Sequence, residues 1–195
     1  MTPRVAVDAP PTGTIGVLLA AGSGTRFTRS THKLLAPLGA TTVFGHALAA
    51  ALGAGFEHLV VVTGAVDLPL DGVPVVVRHH PGWAAGQATS MQAGLAAARE
   101  LGAGAVVIGL GDQPFITSSA WRAVARSTAP IAVATYDGAR GNPVRLAAEI
   151  WPMLPTDGDA GARQAMTIHP ELVEEVPCEG SAADIDTPED LERWT

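Results

Sequence analysis

The chain has 195 residues, of which 47% are hydrophobic and only 16% are charged, and its formal net charge at pH 7 is −7. This length and composition predict one globular domain with a sizeable core and exclude a disordered chain. The acidic balance argues against nucleic acid or an anionic membrane as a partner, because both attract basic proteins.

The number of cysteines and the length of the apolar stretches indicate in which cellular compartment the protein is located. Cys178 is the only cysteine, so no intrachain disulfide can form. No apolar stretch approaches the roughly 18 residues of a membrane-spanning helix. Asp8 and two prolines stand where a signal peptide needs an apolar core. We therefore expect a cytoplasmic protein with a flexible tail over residues 1–13 and a single domain over residues 14–195.

The first predicted element is a buried strand from Ile15 to Ala21, followed by a loop with two glycines. Glycines let backbone N–H groups crowd around an anion, and cations then neutralise the charge. Arg26, Arg29 and Lys33 supply those cations, and Lys33 is the only lysine in the chain. The stretch predicts a phosphate-binding loop at the carboxyl end of the first strand, although an ordinary turn remains the alternative.

Two familiar phosphate loops do not fit this stretch. The chain contains no Gly-Lys-Ser/Thr string of the Walker A type. A dinucleotide fingerprint would need a third glycine where Phe27 stands, and a ribose-binding acid about 20 residues further on. No acidic residue occurs between Asp8 and Glu57.

The rest of the chain alternates strand-like and helix-like patterns. We predict strands over 58–63, 73–77, 105–110, 131–135 and 172–176, and helices over 43–52, 87–101, 118–126, 148–154 (a turn), 159–168 and from Pro188 onward. Ser118 or Ser119 is the predicted N-cap of the helix over 118–126. Thr187 is the predicted N-cap of the last helix. The alternation predicts a single Rossmann-like three-layer α/β/α domain with a mostly parallel sheet. Residues 136–146 are expected to form a loop and a short strand, and the region after residue 135 a lid over the nucleotide-binding half.

Three aspartates are candidates for holding a metal ion. Asp112 follows the buried strand over 105–110, so it should face the same crevice as the first loop. Mg²⁺ prefers one or two carboxylates together with substrate phosphates. Asp184 and Asp186 flank Ile185, so only one of them can face the site if the segment is extended. Alternatively, Asp112 is a turn residue, or one of the other two caps the last helix.

Two further segments carry polar groups with small neighbours. Around Gly86, small residues would let a base approach the backbone, and Gln87 and Ser90 could hydrogen-bond it. A helix beginning at Asp159 would offer free N–H groups to a phosphate, and Arg163 would add a guanidinium. Asp159 could equally serve only as a cap.

Six strings occur in an order that resembles the MobA/MocA-like nucleotidyltransferase family, in the branch that attaches CMP or GMP to molybdopterin. They are L-A-A-G-S-G-T-R with Lys33, W-A-A-G-Q-A-T-S, L-G-D-Q-P-F, G-N-P-V, G-D-A-G-A-R and D-I-D-T-P-E-D-L. Ala21 resembles the cytidylyltransferase side of the branch, whereas Phe27-Thr28 departs from the usual Met-Gly. The resemblance implies a fold like that of the nucleotide-diphospho-sugar transferases.

The resemblance also implies roles for individual residues. Catalysis would rest on Arg26, Lys33 and Asp112, and Mg²⁺ would be held by Asp112 with Asp184 (first choice) or Asp186. The implied nucleotide-binding residues are Leu19, Ala20, Ala21, Gly22, Ser23, Gly24, Thr25, Arg26, Lys33, Gly86, Gln87 and Ser90. The implied acceptor-binding residues are Asn142, Pro143, Gly158, Asp159, Gly161 and Arg163.

The implied reaction is transfer of CMP from CTP to molybdopterin with release of pyrophosphate. The partners would be a nucleoside triphosphate and a phosphorylated pterin, with a molybdenum hydroxylase as a candidate protein partner and with neither nucleic acid nor membrane. Three alternatives stay open. They are a guanylyltransferase or a transferase to another phosphorylated small molecule, a nicotinamide-dependent oxidoreductase, and a non-catalytic molybdenum cofactor chaperone.

Overall fold

The computed structural model describes residues 9–28 and 31–194. Residues 1–8 of the predicted tail, and Arg29, lie outside these ranges. The described part of the chain forms the strands β1 (Thr14–Ala20), β2 (Pro37–Leu38), β3 (Thr41–Thr42), β4 (Leu59–Thr63), β5 (Val76–His79), β6 (Ala105–Leu110), β7 (Ile131–Tyr136), β8 (Ala139–Ala147) and β9 (Val173–Pro177). Its α-helices are α1 (Val43–Gly53), α2 (Gln87–Glu100), α3 (Ser118–Ala125), α4 (Arg163–Ile168) and α5 (Pro188–Glu192).

Seven strands form one sheet in the order β5-β4-β1-β6-β8-β7-β9, while β2 and β3 form a separate antiparallel pair. β1 is parallel to both β4 and β6, and only β8 runs antiparallel to its neighbours. All seven residues of β1 are buried, because it lies in the middle of the sheet with helices on both faces. The predicted mostly parallel sheet is therefore confirmed.

The two main clusters of the core lie on opposite faces of the sheet. Val17 of β1 packs in the same cluster as Met91 and Leu95 of α2. The next residue, Leu18, packs on the opposite face with Phe44 of α1 and Trp121 of α3. Val17 and Leu18 point to opposite faces because successive side chains of a strand alternate. These two clusters confirm the three-layer α/β/α arrangement. None of the helices in the described ranges is long and apolar enough to cross a membrane.

The predicted lid after residue 135 is wrong for the segment that follows β7. β8 has nine residues rather than a short run, and it lies inside the main sheet between β6 and β7. Asp137-Gly138 is the two-residue turn that joins β7 to β8, and these residues have positive φ angles of 50° and 81°. An Asp-Gly pair with this backbone gives the tight turn that matches the twist of paired strands.

Several element boundaries also differ from the predictions. Thr117 caps α3, since its side chain accepts a hydrogen bond from Ala120 N at 3.1 Å, so the prediction of Ser118 or Ser119 is wrong. β5 begins at Val76 rather than at residue 73. α4 begins at Arg163 rather than at residue 159. The predicted Thr187 cap of α5 is confirmed, and it forms a capping box with Asp190.

Candidate active site

A cavity of about 680 Å³ opens beyond the carboxyl ends of β1 and β6. Ligands bind at this position in open α/β sheets. The residues predicted to bind nucleotide all line it, as do the three aspartates predicted to bind metal: Leu19, Ala20, Ala21, Gly22, Ser23, Gly24, Thr25, Arg26, Lys33, Gly86, Gln87, Ser90, Asp112, Asp184 and Asp186. Leu34, Trp83, Ala84 and Leu110 also line the cavity, and sequence reasoning did not predict them.

The first loop is held in shape by His32, which the sequence analysis missed. Its Nδ1 accepts a hydrogen bond from Leu34 N at 3.2 Å, so the neutral ring carries its proton on Nε2 and donates it to Gly22 O at 3.1 Å. Burial lowers the pKa of His32, and the nearby Lys33 charge lowers it further, against the raising effect of the Gly22 carbonyl. A neutral histidine thus joins the two ends of the loop.

Gly24 has a structural reason to be glycine. Its φ angle is +61°, and an added Cβ would lie 3.0 Å from Lys33 Cγ. Any side chain here would therefore be strained and would press on the stem of the lysine. The absence of a side chain lets Lys33 pass close beneath the loop.

The ammonium group of Lys33 lies between two carboxylates. Its Nζ is 2.6 Å from Asp112 Oδ2 and 2.7 Å from Asp186 Oδ1. Burial of Lys33 opposes its charged form, but attraction and hydrogen bonding by Asp112 and Asp186 outweigh burial and raise the pKa of the ammonium. Arg26 also pairs with Asp186, at 2.8 Å, although the Arg26 side chain is 74% exposed. The predicted catalytic residues thus form one cluster of alternating charge.

Asp184 and Asp186 both line the cavity. The prediction that only one of them could face it was made for an extended segment, and that condition is not met here. The segment is not a strand, and its buried Ile185 is anchored by a hydrogen bond from its N–H to Asp112 O at 3.0 Å. Regular alternation therefore does not apply. Neither aspartate caps α5, because Thr187 does so.

Asp184 differs from Asp186 in its partner. Its Oδ1 accepts a hydrogen bond from Gln113 Nε2 at 2.8 Å. The residue as a whole is exposed, but its carboxyl group lies in the concave wall of the cavity. That partial burial, followed by the nearby Asp112 charge, raises the pKa of Asp184, while the bond from Gln113 opposes the rise.

The aspartates fit a hard divalent cation. In the ranges that the structure describes, no three His, Cys, Asp or Glu side chains already form a metal-binding group, and a lysine lies between two of the acids. However, Asp112 Oδ1 is buried and has no hydrogen-bond partner, which leaves an oxygen able to take a cation. An all-oxygen set of one or two carboxylates is the set that Mg²⁺ uses when phosphates complete its coordination.

The beginning of α2 is capped by a distant loop. Gly86, its N-cap residue, provides no side chain. Instead, Gln87 N donates to Asp159 Oδ1 at 3.2 Å, and Ala88 N donates to Gly158 O at 2.9 Å. Because α4 begins later, the predicted phosphate site at a helix starting at Asp159 is wrong, and Asp159 caps α2 instead.

The predicted acceptor residues separate into three groups. Asp159 and Arg163 line the main cavity. Asn142 and Gly161 line a smaller adjoining cavity of about 40 Å³, together with apolar side chains of α2 and β6. Pro143 and Gly158 line neither of these two cavities.

Comparison with known proteins identifies the family to which this fold belongs. Residues 16–175 match the family described as the MobA-like NTP transferase domain. Nicotine blue oxidoreductase of Paenarthrobacter nicotinovorans is 32% identical over 197 residues, covering 91% of this chain and 94% of that protein. Purine catabolism protein PucB of Bacillus subtilis is 29% identical over 194 residues, with the same coverage. The crystal structure of Rv0371C of Mycobacterium tuberculosis H37Rv in complex with manganese is 30% identical, has a TM-score of 0.73, and covers 93% of this chain and 97% of that one. The chain therefore belongs to the MobA-like NTP transferase family, as its motifs predicted.

Proposed function

We propose that this protein is a Mg²⁺-dependent nucleotidyltransferase that transfers CMP from CTP to molybdopterin and releases pyrophosphate. Membership of an NTP transferase family already indicates a nucleoside triphosphate substrate. The observation that carries the proposal is the Lys33 ammonium held between Asp112 and Asp186 beside a glycine loop. The cations proposed to bind phosphate and the acids proposed to bind metal thus line one cavity.

The residues supply positioning and charge neutralisation, which are the main needs of phosphoryl transfer. The loop amides from Gly22 to Gly24, with Arg26, hold the β- and γ-phosphates. Lys33 stabilises the charge that grows on the α-phosphate. A phosphate oxygen of the acceptor forms a bond to the α-phosphorus, and the bond to the bridging oxygen breaks to release pyrophosphate. The attacking phosphate is already ionised, so no general base is needed.

Asp112, with Asp184 or Asp186, would hold the Mg²⁺ ion. The ion would supply positive charge to the phosphates during the displacement. In the free protein, Lys33 pairs with both Asp112 and Asp186, and Arg26 pairs with Asp186. When Lys33 and Arg26 turn toward phosphate, these acids lose their counterions and become available to a cation. Nucleotide and cation are therefore expected to strengthen each other's binding.

The surroundings of Ala21 support CTP over GTP. Ala21 is only 2% exposed, and its carbonyl accepts a hydrogen bond from Ala65 N at 3.0 Å. An added Cβ on Gly64 would lie 2.9 Å from Ala21 Cβ, so the methyl group is closely packed. A fixed methyl group at the wall of the cavity leaves less room for a base, which favours the smaller pyrimidine.

Similarity to nicotine blue oxidoreductase favours a second candidate, a nicotinamide-dependent oxidoreductase. The two functions call for different ligands, so one thermal-shift experiment separates them. A ligand at 100 times its Kd adds about 2.7 kcal/mol of stability. We expect CTP with Mg²⁺ to raise the Tm and NADH or NADPH to leave it unchanged. The opposite pattern would favour the oxidoreductase.

Turnover provides the direct test. The four NTPs would each be incubated with Mg²⁺ and molybdopterin, and pyrophosphate release would be measured. We expect release with CTP above the other three, and loss of release in Asp112→Asn. Asp71→Asn, a change at an exposed loop carboxylate, is the matched control and should keep full activity. No release with any nucleotide would reject the proposal.

A further inference from the structure

Gln113 is a buried polar residue whose side chain uses three hydrogen bonds. It is only 4% exposed. Its Nε2 donates to Asp184 Oδ1 at 2.8 Å and to Ala182 O at 3.0 Å. Its Oε1 accepts a hydrogen bond from Asn142 Nδ2 at 3.0 Å. Both donors of the carboxamide, and its oxygen, are therefore occupied.

The partners of Gln113 belong to two different cavities. Asp184 lines the main cavity beside the charged cluster, whereas Asn142 lines the smaller adjoining one. Gln113 itself lines neither cavity. Its side chain is therefore a direct hydrogen-bonded link between the walls of the two cavities.

The backbone of Asn142 is also held in place. It lies at a bulge where the pairing of β7 and β8 shifts register, and bulges re-aim side chains near functional sites. Its carbonyl accepts a hydrogen bond from Tyr136 Oη at 2.8 Å. The Asn142 amide is thus directed at Gln113 by the backbone around it.

The chemistry of the three partners fixes the direction of the Gln113 amide. Two of them, the ionised Asp184 carboxylate and the Ala182 carbonyl, can only accept hydrogen bonds, so they require Nε2 on their side. Asn142 supplies the donor that the Gln113 oxygen needs on the other side. A flipped amide would place an oxygen against two acceptors and leave a buried donor group facing Asn142, which is costly.

We propose that Gln113 is a positioning residue that couples Asn142, on the acceptor side, to the placement of the Asp184 carboxylate on the metal side. This inference rests on the proposed function and takes Asp184, rather than Asp186, as the carboxylate that joins Asp112 in binding the cation. A change in the contacts of Asn142 would alter the hold of Gln113 on Asp184. Acceptor recognition and cation binding would thereby share one hydrogen-bonded connection.

The first test is Gln113→Met, which keeps the length of the side chain and removes the amide. Mn²⁺ affinity would be measured in the presence of CTP, by electron paramagnetic resonance of free Mn²⁺, without acceptor and without turnover. We expect affinity to fall about tenfold, equivalent to about 1.4 kcal/mol. Gln92→Met is the matched control, because it removes a side-chain hydrogen bond to Pro155 O and neither residue lines the main cavity. Its affinity should stay within about twofold of wild type.

The second test changes the link from the other end and does not depend on the folding of a Gln113 variant. Asn142→Asp removes the donor and offers only acceptors to the Gln113 oxygen. We expect Mn²⁺ affinity to fall in this variant too, although residue 142 is not in the cluster of aspartates. If Gln113 acts through Asp184, adding Asn142→Asp to Asp184→Asn should change the affinity less than about twofold.

The outcomes separate this inference from the proposed function. Wild-type protein that binds no Mn²⁺ with CTP would reject the proposed cation site itself. Wild-type binding with unchanged affinity in folded Gln113→Met, or in Asn142→Asp, would overturn the role of Gln113 alone. Fully additive effects of Asn142→Asp and Asp184→Asn would also overturn it, because they would show that the two residues act independently.

Discussion

Replacing Lys33 by methionine should affect stability and turnover in ways that a passive surface lysine would not. Lys33→Met keeps the stem that passes beneath Gly24 and removes only the charge. Asp112 and Asp186 would then lack the ammonium that lies 2.6 and 2.7 Å from their oxygens. The two carboxylates would repel each other, so the folded protein should lose stability.

The size of this loss follows from the exposure of the three side chains, which is 11% for Lys33, 20% for Asp112 and 22% for Asp186. Breaking a fully buried pair costs about 3–5 kcal/mol, whereas an exposed pair is worth about 0–1 kcal/mol. For this intermediate exposure we expect a loss of about 2 kcal/mol. In a domain of this size that loss lowers the Tm by roughly 4–8 °C.

Thermal melts with and without millimolar Mn²⁺ provide the assay. The cation should restore stability to Lys33→Met more than it adds to wild type, because in the variant it need not displace an ammonium. Turnover should still fall by roughly 10²-fold or more, since a cation cannot replace a positioned charge at the α-phosphate. Arg140→Met, which breaks the exposed pair with Glu175, is the control and should cost less than about 1 kcal/mol. A Lys33→Met protein with wild-type Tm and no extra response to Mn²⁺ would refute this account of the cluster.

Three further predictions test individual residues. Asp112→Asn should shift the Mg²⁺ dependence of activity to higher concentration and reduce kcat, and superimposable Mg²⁺ titrations would make Asp112 only a turn residue. The pKa of His32 is lowered in the folded protein, so the unfolded chain takes up a proton first and stability should fall as the pH drops below about 6.5. His32→Asn keeps an acceptor for Leu34 N and should flatten that pH dependence of the free energy of unfolding, while equal slopes would contradict the assignment. Ala21→Gly should reduce the preference for CTP over GTP in kcat/KM by roughly tenfold, and an unchanged ratio would move base choice to other residues.

The sequence was sufficient to predict the layers of the fold because the strands are apolar and clearly bounded. β6 occupies the residues predicted for it, from Ala105 to Leu110, and the helix after Gly86 differs from its prediction by one residue at its end. Residues that follow the carboxyl ends of parallel strands are then predicted to lie at the same edge of the sheet. The first loop and Asp112 meet at one cavity because both follow the carboxyl ends of neighbouring strands.

Contacts between irregular segments could not be predicted in this way. The rule that side chains alternate applies to strands, and the chain around Ile185 is not one. The start of α4 was placed too early, because Asp159 looks like a helix cap in the sequence. It does cap a helix, but the helix is α2, which lies 72 positions away along the chain. Local patterns identify capping residues without identifying which helix they cap.

The same reasoning explains why the two cations of the site were predicted and their partners in the free protein were not. A glycine loop with Arg26 and Lys33 indicates that an anion binds, but not which anion is present when phosphate is absent. In the folded chain Arg26 pairs with Asp186, and Lys33 pairs with Asp112 and Asp186, so both cations have partners within the chain. Under the proposed function, a substrate phosphate would compete with carboxylates for Lys33, and a cation would compete with Lys33 for the carboxylates. Neither competition is favourable alone, because each would leave a partly buried charge without a partner. Both become favourable together, so this cluster should bind nucleotide and divalent cation as a pair.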